Sequence, residues 1–358
     1  MKIRLLILLS SIALFLASCR NDNCESSTIT YRISNTDFAS WKDLVKIKEA
    51  VVLKADVPLS FPQKCLVSAN RIAFWDSRAK TVYLFNANGT FISQVGERGN
   101  AKNEYTQIRD IAFSPDSSII KVLDDSGILN YSAEDGHFLG AEKIKSDISK
   151  SVWKFLPIDE NHYLFFSEGE NTIVEYETVG GNAKTTGLRK KECFPYITEH
   201  FYEYNGKYRI ISDFGDFYVD DFNNNTLTKK YIFDLGSKAL PKEKKPQSFV
   251  ELERVNNAPE YQKCIGSAFE TEQWIYISVV GLDLKCYDVF INKKTNNIIA
   301  GSTSDLFYFG TCGNDLWAMP YPDSLEEGTY LYETLKDDIK ADLKSPILLK
   351  MEINETNL

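Results

Sequence analysis

Beyond about residue 35 the chain alternates short runs rich in Val, Ile, Phe, Tyr and Trp with turn residues every eight to twelve positions or so, the signature of an all-β sandwich, barrel or propeller. A fixed period of roughly 40 to 50 residues separates propeller blades from the other two, and such a period is present. In the first unit Ile72-Ala73-Phe74-Trp75-Asp76 leads through a polar turn to Thr81-Val82-Tyr83-Leu84-Phe85, then through Asn86-Ala87-Asn88-Gly89 to Thr90-Phe91-Ile92. The second keeps this order, with Ile119 to Asp125, a turn at Ser126-Gly127, Ile128 to Tyr131 and Asp135-Gly136-His137-Phe138-Leu139. Later units keep the order while losing the letters: His162 to Asn182, Phe201 to Phe233, Trp274 to Ala300 and Phe307 to Ile353. The hairpin signal Asn205-Gly206 suits positive φ at both turn positions. The pattern predicts an all-β fold, a six-bladed β-propeller of four-stranded antiparallel blades over residues 36–358.

A ring of blades has to be closed, commonly by a strand from one terminus completing the blade built from the other. Val51-Val52-Leu53 lies ahead of the first full unit, so residues near Lys46 to Leu53 are expected to pair in the last blade beside Ile347 to Ile353. One short C-terminal helix is predicted from Leu325 to about Leu343, with Ser324 and Glu327 as a capping box and Pro346 beyond its end. Its stripe Leu331, Leu335 and Ile339 would pack on the rim of the last blade. Ser237 to Asn257, with Pro241-Lys242-Glu243-Lys244-Lys245-Pro246 inside it, interrupts the pattern between the fourth and fifth units. Long insertions are where binding loops often sit, but a solvated excursion is the favoured reading.

The N-terminus follows another pattern: basic Met1, Lys2 and Arg4, an apolar run from Leu5 to Leu16, then Ala17, Ser18 and Cys19. The run is shorter than the roughly 18 to 20 residues of a membrane-spanning helix, and residues 1–18 read as a signal peptide. Leu16-Ala17-Ser18-Cys19 resembles the lipobox of bacterial lipoproteins, which implies cleavage before Cys19, acylation of that cysteine and a membrane contact through lipid only. Arg20 stands where an inner-membrane retention signal would have Asp, so the resemblance implies the outer membrane of the cell envelope and leaves the periplasmic or surface side open. Residues 19–35, rich in Asn, Ser and Thr, read as a tether.

Of 358 residues, 43% are hydrophobic and 13% aromatic, enough to bury a large core. A net charge of −9 with no basic stripe argues against nucleic acid as a partner. If Cys19 is acylated, then Cys24, Cys65, Cys193, Cys264, Cys286 and Cys312 remain, an even number in an oxidising compartment, so disulfides are allowed without being demanded. No Cys-x-x-Cys pair occurs and the histidines are His137, His162 and His200 alone, so no familiar zinc or redox motif can be assembled and no cofactor is called for. Cys286, inside Lys285-Cys286-Tyr287-Asp288-Val289-Phe290, reads as a small buried hydrophobe.

The order of features resembles the six-bladed β-propeller lipoproteins of Bacteroidetes, relatives of NHL-repeat propellers, over nearly the whole mature chain. The residues that carry the resemblance are Val51-Val52-Leu53, the strand end Trp75-Asp76, the run Phe85 to Gly96, Glu104-Tyr105 followed by Ile108-Arg109-Asp110-Ile111, and Ser345-Pro346-Ile347-Leu348. Ala101-Lys102-Asn103 stands where members usually carry Gly-Pro-Gly. The resemblance implies the fold and supplies no activity.

No Gly-x-Ser-x-Gly, His-Glu-x-x-His or supported Ser-x-x-Lys motif is present, so serine and zinc hydrolases lack their parts. Asp213-Phe214-Gly215-Asp216 and Asp220-Asp221 offer carboxylates for Ca²⁺ or for sugar chemistry. Phe194, Tyr196, His200, Phe201, Tyr202 and Tyr204 crowd the entry to the fourth unit; aromatic faces stack on sugars and anchor interfaces, although propeller cores use them too. Tyr196, His200 and Tyr202 are the candidate binding residues. The favoured expectation is a binding or scaffold module for a glycan, peptide or protein partner, and the alternative is a carbohydrate-active hydrolase or lyase.

Overall fold

The computed structural model describes residues 27–33, 38–180, 182–258, 260–281, 286–302, 305–337 and 345–353. The signal peptide, Cys19 and Cys24 therefore lie outside the described residues. Six antiparallel meanders follow one another in chain order. Blade 1 comprises Pro62–Val67, Arg71–Asp76, Thr81–Asn86 and Phe91–Val95, and blade 2 comprises Asp110–Phe113, Ile119–Asp124, Gly127–Ser132 and Phe138–Glu142. Blade 3 is built from Val152–Pro157, His162–Ser167, Asn171–Val179 and Asn182–Lys190, and blade 4 from Phe201–Tyr204, Lys207–Ile211, Tyr218–Asn223 and Thr226–Asp234. Blade 5 holds Cys264–Glu270, Trp274–Val280, Cys286–Asn292 and Ile298–Ser302; blade 6 holds Leu306–Cys312, Asp315–Pro320, Ile347–Ile353 and Val45–Val52. The first strand of each blade touches that of the next, and blade 6 touches blade 1, so the ring is closed. The six-bladed propeller expected from the sequence is the fold.

Closure is by the predicted strand. Val52 pairs with Ile347 and Val45 with Ile353, antiparallel, with a bulge at Lys350/Met351. Val45, Val51, Leu348 and Leu349 are buried, so this seam carries apolar packing as well as hydrogen bonds. The chain then crosses the third hairpin of blade 1, where the Lys54 N–H donates to the Gly89 carbonyl at 3.0 Å. Gly89 has φ +83°, and a Cβ there would lie 2.2 Å from the Val52 carbonyl oxygen. Only glycine fits this crossing.

The N-terminal arm corrects the tether reading. Ile29–Arg32 adds a parallel fifth strand to blade 4 against Tyr231 to Asp234, and Phe38–Ser40 does the same for blade 5 against Ala300 to Ser302. Tyr31 and Ile33 are buried while Thr30 and Arg32 are exposed, so a short strand alternation was hidden in polar composition. Covering the outer edges of two blades removes unpaired backbone groups that would otherwise template association.

The C-terminal helix is shorter than predicted at its start. A 3₁₀ turn spans Pro322–Leu325, Gly328 takes φ +88°, and the helix runs Tyr330–Leu335 with Thr329 as its N-cap. A left-handed glycine cannot continue the first turn of a helix, so Ser324 and Glu327 do not form its capping box. Leu331 and Leu335 are buried in the core they share with blade 6, as expected, while Ile339 and Leu343 lie outside the described residues. The insertion is folded as well. Ser248 caps the helix Phe249–Asn257, and Leu240 and Leu252 pack with Cys193, Phe214 and Cys264. The Lys245 ammonium reaches Asp216 at 2.6 Å and docks the insertion on blade 4, while Lys242, Glu243 and Lys244 of the charged stretch stay exposed.

Because every meander starts at the same end, the connections between blades and the turns between second and third strands share one face. That face carries the insertion, the connection from Gly96 to Arg109, residues 191–200 and the helical segment after Pro320. The opposite face holds tight turns such as Asn205-Gly206 and Gly313-Asn314. On the long-loop face Asp76 and Asp124 occupy the same place in blades 1 and 2. Asp76 accepts from the Ser60 hydroxyl and the Arg78 and Ala79 N–H groups, while Asp124 accepts from the Thr106 N–H and hydroxyl. The repeated aspartate in the sequence is thus a clamp between a turn and the incoming connection.

Candidate functional site

The six inner strands surround a central cavity of about 1140 Å³ to which all six blades contribute. Its wall is divided in character. Toward the long-loop face, blades 1 to 4 place two lysines and two carboxylates together. Lys64 Nζ lies 2.8 Å from Asp110 Oδ1 and 3.2 Å from Glu199 Oε2, and Lys154 Nζ lies 2.9 Å from Glu199 Oε1 and 3.6 Å from Asp110 Oδ1. Asp110 Oδ2 also accepts the Phe155 N–H at 3.1 Å. Burial opposes the charge on Glu199, but Lys154 and Lys64 outweigh it and hold the carboxyl well below its ordinary range. For Lys154, burial opposes ionisation and Asp110 and Glu199 reverse the balance, raising its pKa. The quartet pairs two lysines with two carboxylates and is satisfied internally, a cross-blade staple.

The opposite wall, at the seam between blades 5 and 6, is unlike it. Asp288 is buried on the third strand of blade 5. The Tyr276 hydroxyl donates to its Oδ1 at 2.6 Å. Its Oδ2 finds no hydrogen-bond partner among the described residues, and neither does the hydroxyl of Tyr308 on blade 6. Burial pushes the Asp288 carboxyl well above the ordinary aspartate value, with the Tyr276 bond opposing only in part. Burial of this kind favours the protonated form of a carboxyl. Cys286, two residues earlier on the same face of the strand, is exposed at the mouth, so its reading as a buried hydrophobe is corrected. It begins its strand, where the blade is open to solvent. The described cysteines are all free, with Cys65, Cys193 and Cys264 buried.

Aromatic residues rim the mouth near this seam. Tyr321 stacks on Phe61 with centroids 5.5 Å apart and planes 3° apart, and Phe307 meets Phe61 edge-on at 5.6 Å. Tyr321 is 37% exposed and Ile197, across the mouth, 43%.

The residues singled out from the sequence are not grouped on an open face. His200 is buried, its ring stacked on Phe166 at 3.6 Å, and burial with nearby Arg189 and Lys154 pushes its pKa down to about 3. Its Nε2–H donates to the Tyr196 carbonyl at 3.1 Å. Tyr196 packs edge-on against Phe214 at 5.4 Å. Tyr202 borders the cavity, but its hydroxyl donates to Glu270 at 3.0 Å, within a buried network with Arg209, Tyr231 and Lys293. The aromatic cluster is interblade core, the commoner use of such residues. The loop carboxylates are likewise claimed by cations, Asp213 and Asp220 by Arg189, Asp216 by Lys245 and Asp221 by Arg209. Among the described residues no group of three or more His, Cys, Asp and Glu side chains converges as a metal site would require. Glu199, the immediate neighbour of His200, was passed over in the sequence, as were Lys64 and Lys154. The signal that marks them is a charge set within an apolar inner strand or at its threshold.

Fold and channel together define a six-bladed β-propeller whose central cavity is lined by charged and apolar side chains and by residues of both faces. The chain belongs to the DUF4934 family, a domain of unknown function, whose model matches residues 59–348. No curated protein matches it. Among solved structures it is similar to a protein of Bacteroides fragilis NCTC 9343 described as exported, at 15% identity and a TM-score of 0.73, covering 92% of this chain and 100% of that one. A second similar structure is the β-propeller domain of Myceliophteria thermophila Cps50 (Swd1), at 7% identity and a TM-score of 0.46, covering 87% of this chain and 100% of that one. The first supports the fold, and nothing is drawn from the second.

Proposed function

We propose that the protein is an envelope lipoprotein, anchored in the outer membrane through Cys19, whose NHL-like propeller binds a glycan, peptide or protein partner at the long-loop mouth of its channel. The observation that carries this reading is the divided mouth, with exposed Tyr321 and Ile197 above a wall of unsatisfied Asp288 and Tyr308 groups facing a self-satisfied charge quartet. Convergent polar groups inside an apolar rim are what binding pockets present. The lipobox at Leu16 to Cys19 and the likeness to a protein described as exported support the location.

The hydrolase alternative is less well supported. Glycoside hydrolysis uses two carboxyl groups, one protonated and one ionised, facing a common bond. Asp110 and Glu199 are both paired with lysines, and the titratable groups gathered around Asp288 among the described residues are Tyr276, Tyr308, Cys286 and Tyr321, with no second carboxylate among them. The test is a glycan-array and pull-down screen with the full chain beside its Tyr321→Ala variant. The reading predicts capture that weakens in the variant without chemical change in the ligand. Turnover of a polysaccharide, abolished by Asp110→Asn, would replace it with the enzyme.

A further inference from the structure

We infer that the seam between blades 5 and 6 is a recognition pocket for a protonated primary amine, received by the Asp288 carboxylate between the rings of Tyr276 and Tyr308. This rests on the reading of the channel mouth as a binding site and names the ligand chemistry. Three observations carry it. Asp288 lines the central cavity yet has one oxygen without a partner, and the Tyr308 hydroxyl facing the same seam also lacks one. Tyr276 and Tyr308 stand with ring centroids 5.1 Å apart, and Tyr276 fixes the carboxyl by donating to Oδ1 at 2.6 Å. The titratable groups around the carboxyl are Tyr276, Tyr308, Cys286 and Tyr321, all acids, and among the described residues no Lys, Arg or His pairs with it.

A buried carboxyl without compensation is costly; elsewhere in this molecule the buried carboxylates Asp110, Asp220 and Glu270 each have a cation, and Asp76 and Asp124 are held by several N–H and hydroxyl donors, whereas Asp288 has a single donor among the described residues. The missing member at this seam is a positive charge, and aromatic faces favour one by cation–π attraction. Oδ2 is sealed from solvent here. Entry requires the Tyr308 phenol to move aside, a displacement that breaks no hydrogen bond of its hydroxyl. The ammonium pairs with the carboxylate form, so any proton that Asp288 holds in the free protein passes to solvent as the amine seats.

The test is calorimetric titration of the full chain at pH 7 with n-butylammonium, in two buffers of different ionisation enthalpy. Expected are net proton release on amine binding and a loss of at least about tenfold in affinity in the Asp288→Asn variant. Equal binding of n-butanol, or unchanged affinity in Asp288→Asn, would overturn the inference and mark the seam as a site for a neutral acceptor. Absence of amine binding while Tyr321-dependent capture persists would overturn the inference alone; loss of capture as well would remove the binding reading with it.

Discussion

Replacing Asp288 by asparagine should stabilise the protein, and by an amount that grows with pH. Its carboxyl is buried, its folded-state pKa lies well above the ordinary 3.8, and among the described residues its one hydrogen bond comes from the Tyr276 hydroxyl. A raised folded-state value means that stability is fully present below 3.8 and is lost as pH climbs from there to the folded value, because the unfolded chain releases the proton first. The loss runs at about 1.4 kcal/mol per pH unit. The Asp288→Asn side chain does not titrate and its amide oxygen still accepts from Tyr276. All other carboxylates, including Glu199 with its opposite shift, cancel in the comparison of the two proteins. Urea melts at a series of pH values from about 3.5 upward should show the advantage of the variant widening as pH rises above 3.8, by at most about 1.4 kcal/mol per unit, until the folded-state value is passed. A difference independent of pH, or a variant weaker at every pH, would refute the placement of a neutral acid at this seam.

Lys154→Met leaves Asp110 and Glu199 short of a cation inside the ring and is expected to cost about 3 to 5 kcal/mol in a urea melt at pH 7. The wild-type advantage over that variant should shrink as pH falls below 4.5, since the depressed Glu199 value gives stability that is lost on acidification. Gly89→Ala puts a Cβ against the Val52 carbonyl at a positive φ, so about 1 to 3 kcal/mol should be lost in the same assay. Deleting Val45 to Val52 strips the outer strand from blade 6; burial of Val45 and Val51 alone is worth about 1.5 to 3 kcal/mol each, and the product should lack a cooperative thermal transition.

Much of this architecture could be read from the chain because the middle strands of each blade are packed on both faces and show as apolar runs, as Ile72 to Trp75 and Ile119 to Leu123 do. The closing strand was equally visible, since Val51-Val52-Leu53 has no place in the first unit. Inner strands such as Pro62–Val67 and Val152–Pro157 were not, because they line the central channel and carry Lys64 and Lys154 where alternation would call for apolar residues. The same charges that masked the strands build the candidate site. His200 and Tyr202 attracted attention through aromatic density, which in a propeller reports interblade packing. Asp288 lies beside Val289 and Phe290, and the tyrosines that surround it, Tyr276 and Tyr308, come from other strands, so nothing local in the sequence distinguishes it from a surface aspartate.

The most direct test of the binding account is methyl and aromatic NMR of the full chain titrated with a captured ligand. Binding at the long-loop mouth predicts that Ile197 and Tyr321 shift together with Tyr308, while Val179 on the opposite face and Val250 on the insertion helix stay in place and the ligand remains intact. Shifts confined to Val179 or Val250, or a ligand that is cleaved during the titration, would contradict it.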